Sequence, residues 1–165
     1  MKALRHAEGM KVYPILAPAD IVATATGTQY FDLRYVQHAT VAVQFGALTS
    51  DSTDTCTVTL ECSTAGSSNA TEAKVAFKYR LSSAVATDSM GAIADATTDG
   101  VAITAADDGK VLLVDIDPSA VANVGADYRY VRLFLTPNAE MASCVVGAVA
   151  FIEPRYAGNS IPSSS

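Results

Sequence analysis

Short stretches in which apolar and polar side chains alternate with a period of two recur along almost the whole chain. The clearest is residues 127–136, DYRYVRLFLT. Successive side chains of a strand point to opposite sides, so this stretch predicts a strand with one aliphatic face and one aromatic face that carries an arginine. The two sets are Val131, Leu133 and Leu135, and Tyr128, Tyr130, Arg132 and Phe134.

Other segments with a similar pattern are predicted to be strands packed around this one, and they cover residues 21–26, 29–33, 38–45, 55–63, 72–81, 90–93 and 141–151. Residues 55–63 alternate without a fault, which predicts a half-buried strand with a ladder of threonines in water. Residues 101–104 and 110–115 flank the turn former Asp108-Gly109, which predicts a hairpin. Asp117-Pro118 predicts the start of one short helix that ends by Gly125.

About nine or ten strands with almost no helix indicate an all-β fold, an antiparallel β-sandwich of jelly-roll type. The predicted division is an extended N-terminal arm (1–18), a sandwich domain (19–152) and an extended C-terminal tail (153–165). Pro14 and Pro18 are expected to prevent regular pairing in the arm. The arm carries Val12, Tyr13, Ile15 and Leu16, which need burial on this domain or on a neighbour, and the tail carries Tyr156 and Ile161.

Composition narrows the classes of partner. The 165 residues carry a net charge of −6, and only 17% of them are charged. Because phosphate binding needs a basic face, this acidic balance argues against nucleic acid as the main partner. Aromatic residues make up 7% and Trp is absent, so small side chains predict a tightly packed sandwich without a large ligand cavity. No apolar run is long enough for a membrane span or a signal peptide, which predicts a protein made in the cytoplasm without membrane contact.

The sequence contains no catalytic constellation and predicts no enzyme, no metal site and no cofactor. Cys56 and Cys62 lie six residues apart on one predicted strand, too far to bridge. All three cysteines, including Cys144, are interpreted as small buried hydrophobes in a reducing compartment. Acidic pairs in loops are interpreted mainly as solvated turn formers, with a bound cation as the alternative. These pairs are Asp51 and Asp54, Asp95 and Asp99, Asp107 and Asp108, and Asp115 and Asp117.

The face with Tyr128, Tyr130 and Arg132 is the candidate binding surface of the predicted central strand. Tyr and Arg are common anchors of interfaces. The alternative is a second buried face, covered by a loop, in which Arg132 pairs with an acid. The sequence leaves both interpretations open.

Several phrases of the chain resemble a small virion protein of tailed bacteriophages, the head decoration (cement) proteins. The phrases are AEGMKVYPILAPAD, FKYRLSSAVATDSMGAI, TTDGVAIT with DDGKVLLVDIDP, DYRYVRLFLTP and EPRYAGNSIP. The resemblance implies a jelly-roll-like module, commonly a homotrimer, that binds the major capsid protein on the outside of the shell and stabilises it. It implies assembly in the host cytoplasm and a final place on the capsid exterior.

The two arms fit this expectation. Val12, Tyr13, Ile15 and Leu16 would add to a neighbour's sheet or fill its groove, and Tyr156 and Ile161 would do the same at the other end. Two alternatives stay open: a carbohydrate- or receptor-binding module of a virion, and a tail-tube or head–tail joining protein that forms larger rings.

Overall fold

A computed structural model describes residues 10–22, 24–49, 54–67, 72–139 and 141–155. Its strands are β1 (Lys11–Asp20), β2 (Thr26–Gly27), β3 (Phe31–Asp32), β4 (Val36–Thr49), β5 (Thr55–Ser63), β6 (Glu72–Val75), β7 (Phe77–Leu81), β8 (Ala94–Ala96), β9 (Val101–Thr104), β10 (Val111–Ile116), β11 (Tyr130–Pro137) and β12 (Ser143–Pro154). A 3₁₀ turn covers Ala105–Asp107, and one α-helix, α1, covers Pro118–Ala122.

The strands form two antiparallel sheets. Sheet A has the order β1-β12-β4-β10-β7-β8. Sheet B has the order β2-β11-β5-β6, and β3 pairs with β11 and β9 with β5 at its margins. The all-β, two-sheet architecture that the alternation predicts is therefore confirmed.

The pairings are nested along the chain. β1 pairs with β12, β2 with β11, β4 with β10, and β5 with β9. Each pair joins one strand from the first half of the chain to one from the second half, and successive pairs alternate between sheets A and B. The inserted pair β6 and β7 is one extended run that bends at Ala76 and passes from sheet B to sheet A.

The core lies between the two sheets and is built mainly from Val, Leu, Ile and Ala. The predicted aliphatic face of β11 is confirmed, since Val131, Leu133 and Leu135 are fully buried. They meet the inward side chains of sheet A, among them Val43 and Val114. Burial of this apolar surface is the main favourable contribution to folding.

The predicted N-terminal arm over residues 1–18 is corrected in its described part, which belongs to the sandwich, although its pairing is irregular near Pro14 and Pro18. Residues 11–20 form β1, which pairs with β12 from Lys11 opposite Ile152 to Asp20 opposite Val145. β1 is an edge strand, so it needs ladder hydrogen bonds on only one side, and a proline is tolerated there. Two irregularities in the register, on either side of Leu16, accommodate the prolines. Residues 1–9 and 156–165, with Tyr156 and Ile161, lie outside the described residues.

The predicted hairpin between residues 101–104 and 110–115 is also wrong. β9 pairs with β5 in sheet B, whereas β10 pairs with β4 and β7 in sheet A. Gly109 does adopt the left-handed conformation that the turn needs, with φ of 70°. The turn therefore carries the chain from sheet B to sheet A.

The solvated threonine ladder of residues 55–63 is corrected as well. The inward set, from Cys56 to Cys62, is buried as predicted, but Thr59 and Glu61 on the other face are buried too. Gly100 packs on Thr59, and Arg132 pairs with Glu61. A loop and a neighbouring strand therefore cover a face that alternation alone assigns to water.

Helix α1 starts where predicted. Asp117 Oδ1 accepts a hydrogen bond from the Ser119 amide at 2.8 Å, and Pro118 lies in the first turn. The short strand predicted at residues 90–93 is displaced: Met90 forms an isolated bridge with Ser82, and β8 begins at Ala94. Residues 21–22 and 24–25 lie outside the strands.

Candidate partner-binding surfaces

The outward side of sheet A presents a broad apolar surface, which we call the apolar face. It consists of Val12, Pro14, Thr40, Ala42, Val111, Leu113, Val149 and Phe151. Cross-strand registers bring these side chains together, since Val12 lies opposite Phe151 and Pro14 opposite Val149. Val12 is 61% exposed, the highest value among the large hydrophobic side chains of the described residues.

A shallow groove of about 500 Å³ crosses the apolar face. Its floor is low because Gly147 and Ala42 are small, and its walls are formed by Leu16, Pro18 and Phe151. A Cβ on Gly147 would lie 3.2 Å from the Pro18 ring, so the bare glycine lets β1 approach closely. The lining residues include no charged side chain, and Gln44 is the one with a polar side chain.

The far half of sheet A is more polar. A second depression of about 230 Å³ is lined by Leu113 and Ile93 together with Lys78, Arg80 and Asp115. Lys78 Nζ lies 2.5 Å from Asp95 Oδ1, and His38 Nε2 lies 2.7 Å from Asp115 Oδ1. Charged side chains therefore occur at this depression, whereas the lining of the groove contains none.

A third depression, of about 310 Å³, opens at the end of the sandwich beside α1 and contains Asp95, Asp115 and Asp117. No group of His, Cys, Asp or Glu side chains in the described part of the chain is arranged to hold a metal ion. The loop carboxylates instead cap backbone turns. Hydrogen bonds from the side chain and amide of Ser119 hold the pKa of Asp117 below its usual value.

Asp107 illustrates the same use of a loop carboxylate. It accepts hydrogen bonds from the Thr104 amide at 3.0 Å and from Lys110 Nζ at 2.9 Å. Burial of the carboxylate acts to raise its pKa, yet the bonds from Thr104 and Lys110 prevail and the pKa of Asp107 is lowered. Asp107 therefore closes the 3₁₀ turn between the two sheets.

The outward side of sheet B carries a charged and aromatic cluster centred on Arg132, which we call the ionic face. Its members are Tyr30, Glu61, Glu72, Arg132 and Phe134. Arg132 Nε and Nη2 each lie 2.9 Å from Glu61 Oε2, and Nη2 lies 2.7 Å from Glu72 Oε1. The guanidinium stacks between two rings, 4.7 Å from the Tyr30 centroid and 4.9 Å from that of Phe134.

The centre of this cluster is shielded from solvent, and Glu72 lies at its margin. The Arg132 side chain is only 12% exposed, and Tyr30 is buried with its hydroxyl donating to Glu72. Burial, reinforced by that hydrogen bond, raises the pKa of Tyr30 above its ordinary value. The acid partner of Arg132 that the second interpretation requires is thus present, and there are two of them.

The other two residues of the predicted binding face do not join Arg132. Tyr130 receives a hydrogen bond from Arg129 Nη2 at 2.6 Å, and the Arg129 guanidinium lies over the Tyr130 ring. Tyr128 precedes β11 and packs against the core, and a Cβ on Gly125 would lie 3.1 Å from its ring. The sequence pattern therefore assigns Tyr128, Tyr130 and Arg132 to one surface, whereas in the structure each of them contacts a different set of residues.

The four candidates near the N-terminus are also divided. Val12 points outward on the apolar face, and Leu16 lines the groove. Ile15 is 1% exposed in the core, and Tyr13 packs half-buried against it. Two of the four side chains are thus free to meet a partner.

The sequence interpretation did not find Leu113, Val149 or Phe151. A signal for two of them was present, because residues 143–152 are apolar at both odd and even positions. A strand that is apolar on both sides is typical of a sheet covered on both faces. In this structure the outer side of that strand is open to solvent.

Comparisons with known proteins gave no match to a family model, to a curated protein or to a solved structure. Within the described residues, none of the helices has the length and apolar character that crossing a membrane requires.

Proposed function

We propose that this chain is a structural virion protein of a tailed bacteriophage, a jelly-roll sandwich that binds the outer surface of the capsid and stabilises the shell. Its partners are the major capsid protein and further copies of itself, in a homotrimer. The proposal assigns no catalysis and no cofactor to the chain. The single observation that carries it is the uncharged apolar face on a protein of net charge −6.

The nested strand pairs support the jelly-roll part of the proposal. A jelly roll results when one long antiparallel hairpin rolls up, so that its strand pairs alternate between two sheets. Here the pairs β1·β12, β2·β11, β4·β10 and β5·β9 follow that sequence. Jelly rolls occur in viral capsid and lectin domains, which keeps both a structural and a carbohydrate-binding role within the class.

The chemistry of the apolar face supports the choice of a protein partner. An exposed contiguous apolar patch is typical of a protein interface. The groove between Pro14, Phe151 and Val111 offers no donor for a sugar hydroxyl other than Gln44, and the Gln44 amide already donates to the carbonyl of Gly109 at 3.0 Å. An apolar segment of a capsid protein fits this lining better than a polar ligand does.

A carbohydrate module would need exposed aromatic rings. Among the large hydrophobic side chains that the described residues expose, Tyr35 is the one aromatic residue, at 36%. The rings of Tyr30 and Phe134 stack on Arg132 within the ionic face. Receptor or glycan binding is therefore the second candidate, and a glycan screen distinguishes it.

The test uses Val12→Asp as the probe variant. Val12 is 61% exposed, and a carboxylate there would have to be desolvated in any apolar interface, so we expect at least a tenfold loss of affinity for undecorated capsid shells in a co-sedimentation assay. Val124→Asp is the matched control, because Val124 is also exposed, at 40%, but follows α1 and lies outside sheet A. Equal binding by both variants would contradict the assigned face.

Solution mass by light scattering separates the alternatives. A trimer that binds shells is the expected result. Rings of higher order would favour a tail-tube or head–tail joining protein. Binding to a glycan without binding to shells would overturn the structural role.

A further inference from the structure

Two arginines share one buried carboxylate at the end of the sandwich where β4 and β11 begin. Asp32 is 3% exposed, and its Oδ2 lies 3.4 Å from Arg129 Nε and 3.9 Å from Arg34 Nη2. Its other oxygen, Oδ1, accepts a hydrogen bond from the Arg34 amide at 2.8 Å. One buried carboxylate thus faces two guanidinium groups, so one positive charge is left without a partner in this group of three side chains.

Backbone pairing fixes the positions of the two arginines. β3, which ends at Asp32, pairs with β11, and the Leu33 amide donates to the Arg129 carbonyl at 2.8 Å. The Arg129 amide donates in turn to the carbonyl of Ser63, the last residue of β5, at 3.2 Å. Arg34 and Arg129 therefore lie side by side, although they are far apart in sequence.

Both guanidinium groups keep donors that are open to solvent. The side chains of Arg34 and Arg129 are 47% and 42% exposed, whereas that of Arg132 in the ionic face is 12% exposed. Within the described residues, the Arg34 side chain donates no hydrogen bond, and Arg129 donates one, from Nη2 to the Tyr130 hydroxyl at 2.6 Å. Because the Tyr130 oxygen accepts that bond, its own proton remains available as a further donor.

A tyrosine ring supports each guanidinium group from one side. The Arg129 guanidinium carbon lies 4.8 Å from the centroid of Tyr130, and that of Arg34 lies 5.9 Å from the centroid of Tyr35. Such stacking restrains a flexible side chain and leaves the donors at the edge of the planar group unoccupied. Arg155 adds an exposed arginine beside them, since its amide donates to the Tyr35 carbonyl at 2.6 Å.

We propose that Arg34 and Arg129, together with the Tyr130 hydroxyl, form a binding site for the side-chain carboxylates of a short acidic protein segment. The inference is independent of the proposed function. The planar fork of a guanidinium group matches the two oxygens of a carboxylate and can bind both of them at once. The exposed groups of the site are donors, so its ligand has to supply the acceptors.

Other anions fit this end of the sandwich less well. Nucleic acid is bound by a row of basic side chains, whereas here the exposed carboxylates of Asp127 and Glu153 lie two residues before two of the arginines. The basic surface is therefore small, which suits a short segment. An acidic sugar would need free ring faces for stacking, and a guanidinium group already covers one face of Tyr35 and of Tyr130.

The experiment titrates the folded, isotope-labelled full-length protein with triglutamate and follows the arginine Nε–Hε signals by NMR. We expect the signals of Arg34 and Arg129 to move along one saturable curve. Triglutamine, which has the same length and uncharged side chains, should leave them unchanged. Affinity should fall at least about threefold as salt rises from about 50 mM to about 300 mM, because exposed charges are screened.

Arg34→Gln is the probe variant, because an exposed side chain 3.9 Å from Asp32 can be replaced with little loss of stability. We expect it to weaken triglutamate binding at least about fivefold. Arg34→Lys keeps the charge without the fork and should restore only part of the affinity. Arg80→Gln is the matched control, since it removes the same charge from an exposed arginine of sheet A and should change affinity less than about twofold.

Solution mass by light scattering distinguishes the two sources of the acidic segment. If the segment belongs to a second copy of this chain, the wild type self-associates through the site and Arg34→Gln has the lower mass. If it belongs to another protein, the two masses are equal and triglutamate binding alone is weakened. Both results agree with the proposal.

Three results would overturn it. One is the absence of any movement of the Arg34 and Arg129 signals at millimolar triglutamate. Another is equal weakening by Arg34→Gln and Arg80→Gln, which would show a general response to net charge. The last is tighter saturable binding of trigalacturonate, a chain of acidic sugars, which would assign the site to a glycan instead of a protein.

Discussion

The outer faces of the two sheets differ in a way that their sequences do not suggest. The ionic face of sheet B carries Arg132, two glutamates and aromatic rings, yet it is closed, because each charge finds its partner within the protein. The apolar face of sheet A carries hardly any polar group, yet it is open. Side chains of a type common in binding sites stabilise the fold of sheet B, and side chains of a type common in cores are exposed or half-buried on the outer side of sheet A.

The comparison shows that whether a polar side chain is free to bind a partner depends more on its hydrogen bonds and ion pairs within the protein than on its residue type. A guanidinium that pairs with two carboxylates and stacks between two rings has most of its donors and both faces occupied, so it is poorly placed to bind a ligand. Exposed apolar side chains such as Val12 and the half-buried Phe151 gain free energy only when another surface covers them. Partner binding is therefore better sought on sheet A.

Removal of Arg132 should have the largest effect. In Arg132→Met, Glu61 keeps its buried position and both glutamates lose their cation, so we expect the free energy of unfolding to fall by about 3 kcal/mol or more in urea titrations. Arg80→Met is the matched control, because Arg80 is exposed on the outer side of sheet A, and it should change stability by less than about 0.5 kcal/mol. A similar loss in both variants would mean that the ionic face is not a structural unit.

Gly147→Ala should lower both the stability of sheet A and the affinity of the apolar face for capsid shells. The new Cβ would approach the Pro18 ring to 3.2 Å and raise the floor of the groove, so β1 has to move slightly away. We expect a loss of about 1 kcal/mol in unfolding stability, together with weaker binding of capsid shells. Gly91→Ala, in which the new Cβ meets the Leu81 carbonyl at 3.0 Å, controls for crowding away from the groove and should leave shell binding unchanged.

Tyr30→Phe should alter stability mainly at high pH. The pKa of Tyr30 is raised above its model-compound value of 10.0, chiefly by burial and then by the bond to Glu72. Above pH 10 the unfolded chain releases this proton while the folded protein retains it, so wild-type stability falls as pH rises, by up to about 1.4 kcal/mol per pH unit. Unfolding midpoints at pH 8 to 11 should fall less steeply in Tyr30→Phe, and parallel curves would contradict the closed ionic face.

Leu113→Ala should have the smallest effect on the isolated protein. Leu113 is half-buried on the outer side of sheet A opposite Arg80, so its truncation removes little buried surface, and we expect less than about 1 kcal/mol. Leu133→Ala, in the core of sheet B, should cost about 2–5 kcal/mol in the same assay. If Leu113→Ala approached that value, the apolar face would already be covered in solution, for example by a second copy.

The alternation predicted the fold class well because it depends on local information. The burial of Val131, Leu133 and Leu135 and the start of α1 at Pro118 follow from side-chain periodicity and from capping chemistry within a few residues. The sheets to which β9 and β10 belong could not be predicted, because each of these strands pairs with a strand that is distant in sequence. Gly109 signals the turn but not which sheet follows it.

The surfaces were less predictable than the core for the same reason. Thr59 and Glu61 have the spacing of solvated positions, and only Gly100 and Arg132 from elsewhere in the chain bury them. The edge position that lets β1 tolerate Pro14 likewise depends on β12, far away in sequence. A period of two distinguishes the sides of a strand, but it does not say what covers each side.

The nested strand pairs have a consequence for synthesis of the protein. β12 lies between β1 and β4, so sheet A cannot close until the last strand has left the ribosome. The contacts that stabilise the fold join residues far apart in sequence, a topology that folds slowly because loop closure precedes the gain from pairing. Until then the apolar inner side of β4 is uncovered, and we expect the nascent chain to be a client of chaperones.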